Sequence, residues 1–445
     1  MSDFELPPLE LQGTPPAFGH EMLKYFCFEE GYVNLNHGSY GSLPVPVFDY
    51  CTKVARSIEA NPDKFVRIAL PNVLRGLRER MAPFVGAQPD EVVFVQNASH
   101  GINTVLRNLE WHPGDIIVSA TTTYNAVERV IHYLHDITPH PSLSVAPLNF
   151  PNTRAQIIND FRKHIQILVA DIAVRQKDVK DGSKLKIVAV IDSLVSNPGI
   201  YLPWKEMVKI CRAEGVWTVV DAAHSLGQEV DITLNEVNPD FWVSNCHKWL
   251  YAKRGCAILY VPKRNQHLIK SPIPTPFSYH SPDDPEPSNF IEMFGWTGTI
   301  DHTPCLSVHA ALDFRAWLGG EHKINDYCRS LVLAGAKRLA ELLGTRVMDS
   351  SADGELTLNM ANVALPLSPR VPNTPMNGTI LMLKLLDEAK VGAPVFFHNG
   401  VWWTRVSAQL WNEMSDFEYL AEALKNACKE IEEDNAPDDG VSAKL

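Results

Sequence analysis

Between positions 92 and 261 the sequence returns seven times to a short run of aliphatic and β-branched residues, at 92–95, 115–119, 144–148, 187–191, 217–220, 241–243 and 257–261. The stretches between them carry helical periodicity. The runs are mostly apolar and show no strict alternation, which suits strands covered on both faces. Strand and helix in regular succession predict βαβ units, and so an α/β chain with a mostly parallel, doubly wound sheet of the seven-stranded type. Ligands of such sheets bind beyond the carboxyl ends of the strands. The residues that follow each run are therefore where chemistry is expected.

The rest of the chain fits around that sheet. Its 445 residues are enough for a large core and a second unit. Four regions are expected: an N-terminal arm over 1–50, with 15–30 helical; a large domain over 51–303; a smaller C-terminal α+β domain over 304–434; and an acidic tail over 435–445. In the small domain, helices are expected near 307–317 and 323–343, strands near 361–366 and 402–408, and a last helix over 416–433. The proline-rich stretch 272–288 has no period and reads as a long loop.

Composition narrows the function classes. A formal net charge of −12 argues against nucleic acid or an anionic membrane as partner. No apolar run is long enough to cross a bilayer, and Met1-Ser2-Asp3-Phe4-Glu5 lacks the basic and apolar parts of a secretory leader. The eight cysteines show neither CxxC nor Cys/His ligand spacing, so neither a disulfide framework nor a metal site is expected. These features point to a reducing compartment, with the cytoplasm as default. The terminal Ala443-Lys444-Leu445 only loosely echoes a peroxisomal address.

Two strand ends define the chemistry. The run at 217–220 delivers Asp221, and the run at 241–243 delivers Ser244-Asn245-Cys246-His247-Lys248. A carboxylate and a lysine on neighbouring buried strands suit pyridoxal phosphate (PLP). The lysine forms a Schiff base with the cofactor aldehyde, while the acid pairs with the protonated pyridine nitrogen. The turn Asn97-Ala98-Ser99-His100 opens a helix whose N-terminus is a phosphate cradle, although ordinary capping would leave the same trace. Tyr124 ends another strand, either to stack on the ring or to serve as core. Ser196 and Asn197 follow a third strand and are placed to reach the ring hydroxyl, unless Pro198-Gly199 is only a turn. His224 either supports Asp221 or is a structural histidine. His247 and Ser244 are alternative phosphate donors. Arg405, inside the apolar run Trp403-Thr404-Arg405-Val406, calls for an anion: a substrate α-carboxylate or a surplus acid.

The motifs Asn34-Leu35-Asn36-His37-Gly38-Ser39-Tyr40-Gly41, Asn97-Ala98-Ser99-His100-Gly101, Asp221-Ala222-Ala223-His224, Ser244-Asn245-Cys246-His247-Lys248-Trp249-Leu250 and Arg405-Val406-Ser407-Ala408-Gln409 together resemble fold-type I PLP enzymes of the class V aminotransferase superfamily, alongside isopenicillin N epimerase-like proteins and cysteine desulfurases. The resemblance runs from about residue 32 to 427. It implies that Lys248 carries the cofactor, that Asp221 pairs with its ring nitrogen and that Tyr124 stacks on it. By the same resemblance Ala98, Ser99, His100, Ser244 and His247 surround the phosphate, with Asn197 and His224 beside the ring. Asn36, His37 and Arg405 would bind the substrate. Thr299 would reach the neighbouring subunit's cofactor, which implies a homodimer with shared active sites acting on a small amino acid.

Within the superfamily, Asn-Cys-His-Lys-Trp-Leu with Arg254-Gly255-Cys256-Ala257 resembles a fungal branch of secondary metabolism that holds ergothioneine-pathway C–S lyases and loline-pathway Mannich cyclases. Those lyases carry a cysteine before a Pro-Leu-x-x-Pro segment, where this chain has Ser144-Val145-Ala146-Pro147. The missing thiol leans toward the cyclases. C–S lysis and epimerisation stand as alternatives, and a non-catalytic PLP-binding protein is the least favoured.

Overall fold

The computed structural model describes residues 4–180, 182–281, 283–284, 289–349, 351 and 353–435. Along the chain its main elements are α1 (Val45–Glu59), α2 (Leu70–Val85), β1 (Val92–Val95), α3 (Ala98–Asn108), β2 (Ile116–Ala120), α4 (Asn125–Asp136), β3 (Ser142–Ala146), α5 (Arg154–Arg175), β4 (Ile187–Asp192), α6 (Trp204–Ala213), β5 (Trp217–Asp221), β6 (Phe241–Asn245) and β7 (Ala257–Tyr260). They continue with α7 (Thr303–Leu318), α8 (Gly320–Leu343), β8 (Met360–Ala364), α9 (Pro375–Leu383), β9 (Val395–His398), β10 (Val401–Ser407) and α10 (Met414–Asp434).

Strands β1 to β7 form one sheet in the order β1-β7-β6-β5-β4-β2-β3. All neighbours are parallel except β7, which runs antiparallel to β6 and β1. The doubly wound, mostly parallel expectation is met. Successive residues serve opposite cores. Ile191, Val220 and Trp242 face the layer containing α2, α5 and α6, whereas Val190, Val219, Phe241 and Val243 face α3 and α4. This alternation decides which strand-end side chains meet. Asp192, Asp221 and Asn245 each lie two residues beyond a residue facing α3, so all three point to the α3 side.

The second unit is an antiparallel sheet in the order β8-β10-β9, with α8 and α10 packed on it around Val332, Leu339, Val406 and Phe417. The N-terminal segment joins it through Val33–Asn34, which pairs in parallel with Val391–Gly392. Asn36 then bridges to Ser407 at the end of β10. That pairing brings the 36–41 segment over the central sheet.

Several boundaries differ from expectation. The expected helix over 15–30 is only a 3-10 turn, His20–Tyr25: Pro15 and Pro16 precede it, and Phe26 is extended and bridged to Pro44. The third strand ends at Ala146 and not at 148, because Pro147 has no N–H to continue a ladder. Asp115 lies outside its strand, and its carboxylate anchors the turn by accepting from the N–H groups of His112 and Lys186. Strand β9 was not anticipated. It is one arm of a hairpin turning at Asn399 and Gly400, both with positive φ (49° and 79°). No helix among the described residues is long and apolar enough to cross a membrane. The expected acidic tail beyond Asn435, with its terminal Ala-Lys-Leu, lies outside the described residues.

Candidate active site

The strand ends on the α3 side open into a cleft of about 190 Å³, bounded by the 39–40 segment, the start of α3, Tyr124, Asp192, Asp221, His224 and the 245–248 loop. Asn97, Ala98, Ser99, Tyr124, Asp221, His224, His247 and Lys248 all line it. Of the other candidates, His37, His100, Asn197, Ser244, Thr299 and Arg405 do not.

Asp221 is almost fully buried and accepts from the N–H of Ala223 at 3.0 Å. It lies opposite Asp192 in the β4–β5 register, and Asp192 is equally buried. Burial raises both carboxyls. Asp192 is pushed further by the Asp221 charge, whereas the Ala223 N–H and nearby Lys248 favour ionised Asp221. Of the two, Asp221 is the carboxyl whose ionised form its neighbours favour, and Asp192 is the one held further toward the protonated form. Lys248 follows β6 and its Nζ stands 3.1 Å from His224 Nε2. Burial and then the Arg405 charge lower its ammonium to about 8, against the pull of Asp221. Its amine is thus available as a nucleophile or base near neutral pH.

Alternation separates the two phosphate-donor candidates on β6. Ser244 is fully buried on the opposite face of the sheet; its hydroxyl donates to the Ala222 carbonyl and accepts from the Leu226 N–H. It ties the loop after β5 to β6 and is not at the cleft, which corrects its assignment as a phosphate ligand. Its neighbour Asn245 lines the cleft and accepts from Ala98 N–H at 2.9 Å, which leaves the amide NH₂ to donate. Sequence reading passed over Asn245, although a period of two from Phe241 and Val243 places it on the α3 face.

Asn97 caps α3 by accepting from His100 N–H at 2.8 Å. Gly101 lets that helix rest directly on the sheet, since a Cβ there would stand 2.7 Å from Val243. Ser99 then presents a hydroxyl and a backbone N–H at a helix N-terminus, a site suited to an anion. His247 Nδ1 donates to the Cys256 carbonyl at 2.9 Å, and burial holds the ring down to about 4. Tyr124 is half-exposed at the start of α4, and Tyr40, unassigned from sequence, is exposed at the cleft mouth.

Arg405 is fully buried beneath the 196–199 turn, beside the cleft. Gly199 makes room for it, because a Cβ there would lie 2.8 Å from Arg405 Cδ. Its guanidinium donates to the Ser196 carbonyl (2.7 Å), Asn36 Oδ1 (2.9 Å) and Ser39 Oγ (2.8 Å), and its Nε has no partner. No carboxylate pairs with it among the described residues, and burial lowers it to about 10. Ser39 and Ser196 line the cleft and stand between it and the guanidinium. The surplus-acid alternative for Arg405 is thus not what the structure holds.

The remaining candidates lie elsewhere. His37 is packed edge-on among Trp249, Tyr251 and Trp411. The ring of His100 packs back on its own turn, accepting weakly from Gln96 N–H at 3.5 Å. Asn197 and Thr299 are exposed. Val145 is half-exposed on β3, the outermost strand, and is not part of the cleft. Position 145 thus lies outside the cleft lining, and no cysteine stands among the described residues that line it.

A doubly wound sheet whose strand ends gather a depressed lysine, a buried carboxylate, an anion-accepting helix start and a stacking aromatic defines a PLP-dependent enzyme. The donors fit the group: an unspent Asn245 amide and Ser99 at the phosphate end, and ionised Asp221 at the ring-nitrogen end. The family model for aminotransferase class V matches residues 43–365, and the chain belongs to that family. It is 33% identical to the L-cysteine desulfhydrase-like protein lolT1 of Epichloe uncinata, over 93% of this chain and 96% of that protein. It is 28% identical to the hercynylcysteine sulfoxide lyase of Schizosaccharomyces pombe, over 93% of this chain and 98% of the relative. The fold matches the solved structure of the cystine C–S lyase C-DES with a TM-score of 0.71 at 18% identity, covering 89% of this chain and 97% of that one. PLP is the cofactor, and the relatives are lyases and desulfhydrases, not transaminases.

Proposed function

We propose that this enzyme removes the Cα proton of a small amino acid and that the resulting carbanion closes a ring by C–C bond formation within the same substrate. The first step rests on one juxtaposition: a lysine amine lowered to about 8 lines the cleft, and beside it lies a buried arginine that has no carboxylate partner among the described residues. Arg405 takes the substrate carboxylate, which replaces the neutral oxygens of Asn36 and Ser39 with a charged acceptor. Lys248 then takes the Cα proton on its free amine. Asn245 and Ser99 would hold the cofactor phosphate, Tyr124 would cover the ring and Asp221 would keep the ring nitrogen charged; His247, neutral and with its one N–H spent on the Cys256 carbonyl, has none left to donate to the phosphate. When bound, the cofactor supplies an electron sink for the carbanion. Burial and the Asp221 charge hold Asp192 toward its protonated form, so the two carboxyls do not compete for that role.

Ring closure is favoured over sulfur expulsion because no cysteine lines the cleft among the described residues. Cys246 and Cys256, nearest Lys248 in sequence, are fully buried. C–S lysis is the second reading, supported by the names of the two relatives above. Incubation with L-cysteine and S-alkylcysteine sulfoxides in deuterated water separates them. Cα–H exchange without pyruvate or sulfide is expected; stoichiometric pyruvate replaces the cyclase reading with the lyase one. Absence of exchange from any small amino acid defeats both.

We also propose a homodimer with Thr299 reaching the partner's cofactor phosphate. Exposed Thr299 sits next to the exposed Ile300, and Ile273, Phe277 and Tyr279 are exposed on the preceding loop. A monomeric mass in solution, or undiminished cofactor retention by Thr299→Val, defeats this.

A further inference from the structure

Two consecutive residues hold the two nitrogens of one buried imidazole. Trp249 Nε1 donates to His224 Nδ1 at 3.4 Å, and Lys248 Nζ lies 3.1 Å from His224 Nε2. An indole N–H is a donor only. Nδ1 therefore spends its lone pair on Trp249, and in the neutral ring the proton is left on Nε2. That N–H faces the lysine nitrogen. An ammonium has no lone pair to accept it, so the contact requires the free amine.

We infer that Trp249 is a positioning residue: by fixing His224 in its Nε2–H form, it keeps Lys248 Nζ as the unprotonated amine. The inference rests on Lys248 being the reactive amine, as proposed above.

The surroundings support it. His224 is buried, and burial above all, with the Arg405 charge nearby, disfavours protonation of its ring. The groups facing Lys248 are Asp221 from β5, Arg405 from β10, His247 beside it and His224 itself; Asp192 from β4 lines the same cleft, and burial and the Asp221 charge hold its carboxyl toward the protonated form. Asp221 pulls toward the ammonium, and the His224 N–H opposes it by bonding only to the free amine. The indole is in turn immobile. Trp249 is fully buried with His37 edge-on at 5.1 Å, and its carbonyl accepts from Arg315 at 2.7 Å. On the other side, the His224 carbonyl accepts from Gln228 at 2.8 Å. A proton that changed nitrogens would leave the Trp249 N–H facing an N–H.

Trp249→Phe deletes the donor and keeps an aromatic ring. In the full-length holoenzyme labelled with ¹⁵N-histidine, with His224 assigned by difference against His224→Gln, the wild type is expected to show Nε2–H and the variant Nδ1–H or a mixture. The acidic limb of kcat for Cα–H exchange should move up by about one pH unit, a tenfold loss at low pH that vanishes at high pH. Within His224→Gln, Trp249→Phe should shift that limb no further. Wild-type Nδ1–H overturns the inference, as does an equal loss of kcat at every pH. If Trp249→Phe does not fold, the wild-type tautomer alone decides. The proposed role of Lys248 fails separately, if Lys248→Ala keeps a borohydride-reducible cofactor linkage.

Discussion

Lys248 lines the cleft and Arg405 is buried just beside it, and the protein holds these two basic groups in opposite ways. The lysine loop is gripped through backbone. Gly41, at φ +68°, presses so closely that a Cβ would stand 1.8 Å from the His247 carbonyl oxygen, and one at Gly227, at φ +84°, would stand 2.4 Å from the Trp249 carbonyl oxygen. Arg315, tied to Glu321, donates to the carbonyls of Trp249 and Gly227, and Arg254 donates to those of Tyr40 and Gly41. Arg405 rests on neutral oxygens, two of them from side chains, and has a spare N–H. A group that must stay in place is fixed by contacts no ligand can replace. A group that receives a ligand is held by contacts that a stronger acceptor displaces.

That contrast can be broken in four places. Lys248→Ala should have the largest effect, with complete loss of the visible cofactor band and of Cα–H exchange, read by absorbance and by proton NMR in deuterated water. Gly41→Ala forces both a backbone clash and a left-handed φ, so it should cost about 3–5 kcal/mol in denaturant unfolding and weaken cofactor retention with it. Arg405→Gln should leave the band and raise KM for the amino acid about 100-fold, since a buried charge partner is worth roughly 2–5 kcal/mol. A raised KM after Gly41→Ala with cofactor fully retained would erase the distinction between the two grips.

The smallest effect at neutral pH concerns His37, beneath the lysine loop. Burial lowers it to about 3 from its ordinary 6.5, partly offset by the Lys248 backbone. The unfolded chain takes up this proton below pH 6.5 and the folded chain does not until about pH 3. Its contribution is therefore complete above pH 6.5 and drains as pH falls. His37→Phe should leave stability at pH 7.5 within about 1 kcal/mol and flatten the loss between pH 6.5 and 4, measured by urea unfolding. An unchanged acid limb would show that His37 is not a buried neutral base.

The seven strands were legible because each is a short, largely apolar run, and Asp221 and Lys248 were legible because one ends such a run and the other closely follows one. What escaped was direction. Ser244 and Asn245 are adjacent and both polar, and only the alternation set by Phe241 and Val243 sends one away from the cleft and the other into it. Asp192 ends its strand in register with Asp221, but that register is a property of strand order, which single runs do not carry. Strand β9 was legible in principle, as an Asn-Gly turn between apolar runs. Val145 was weighed as a site residue on motif spacing, without knowing that its strand is the outermost one.

The bare surface of Gly101 has a mechanical consequence. With no side chain between α3 and Val243, the helix sits on the sheet as a beam on a bearing, and its N-terminal end is located by the sheet and not by the loop before it. Any added bulk at position 101 would act as a wedge one turn from the tip. The helix would tilt about that point, and the cradle at Ser99 would swing out of line with Lys248 without the loss of any cleft residue.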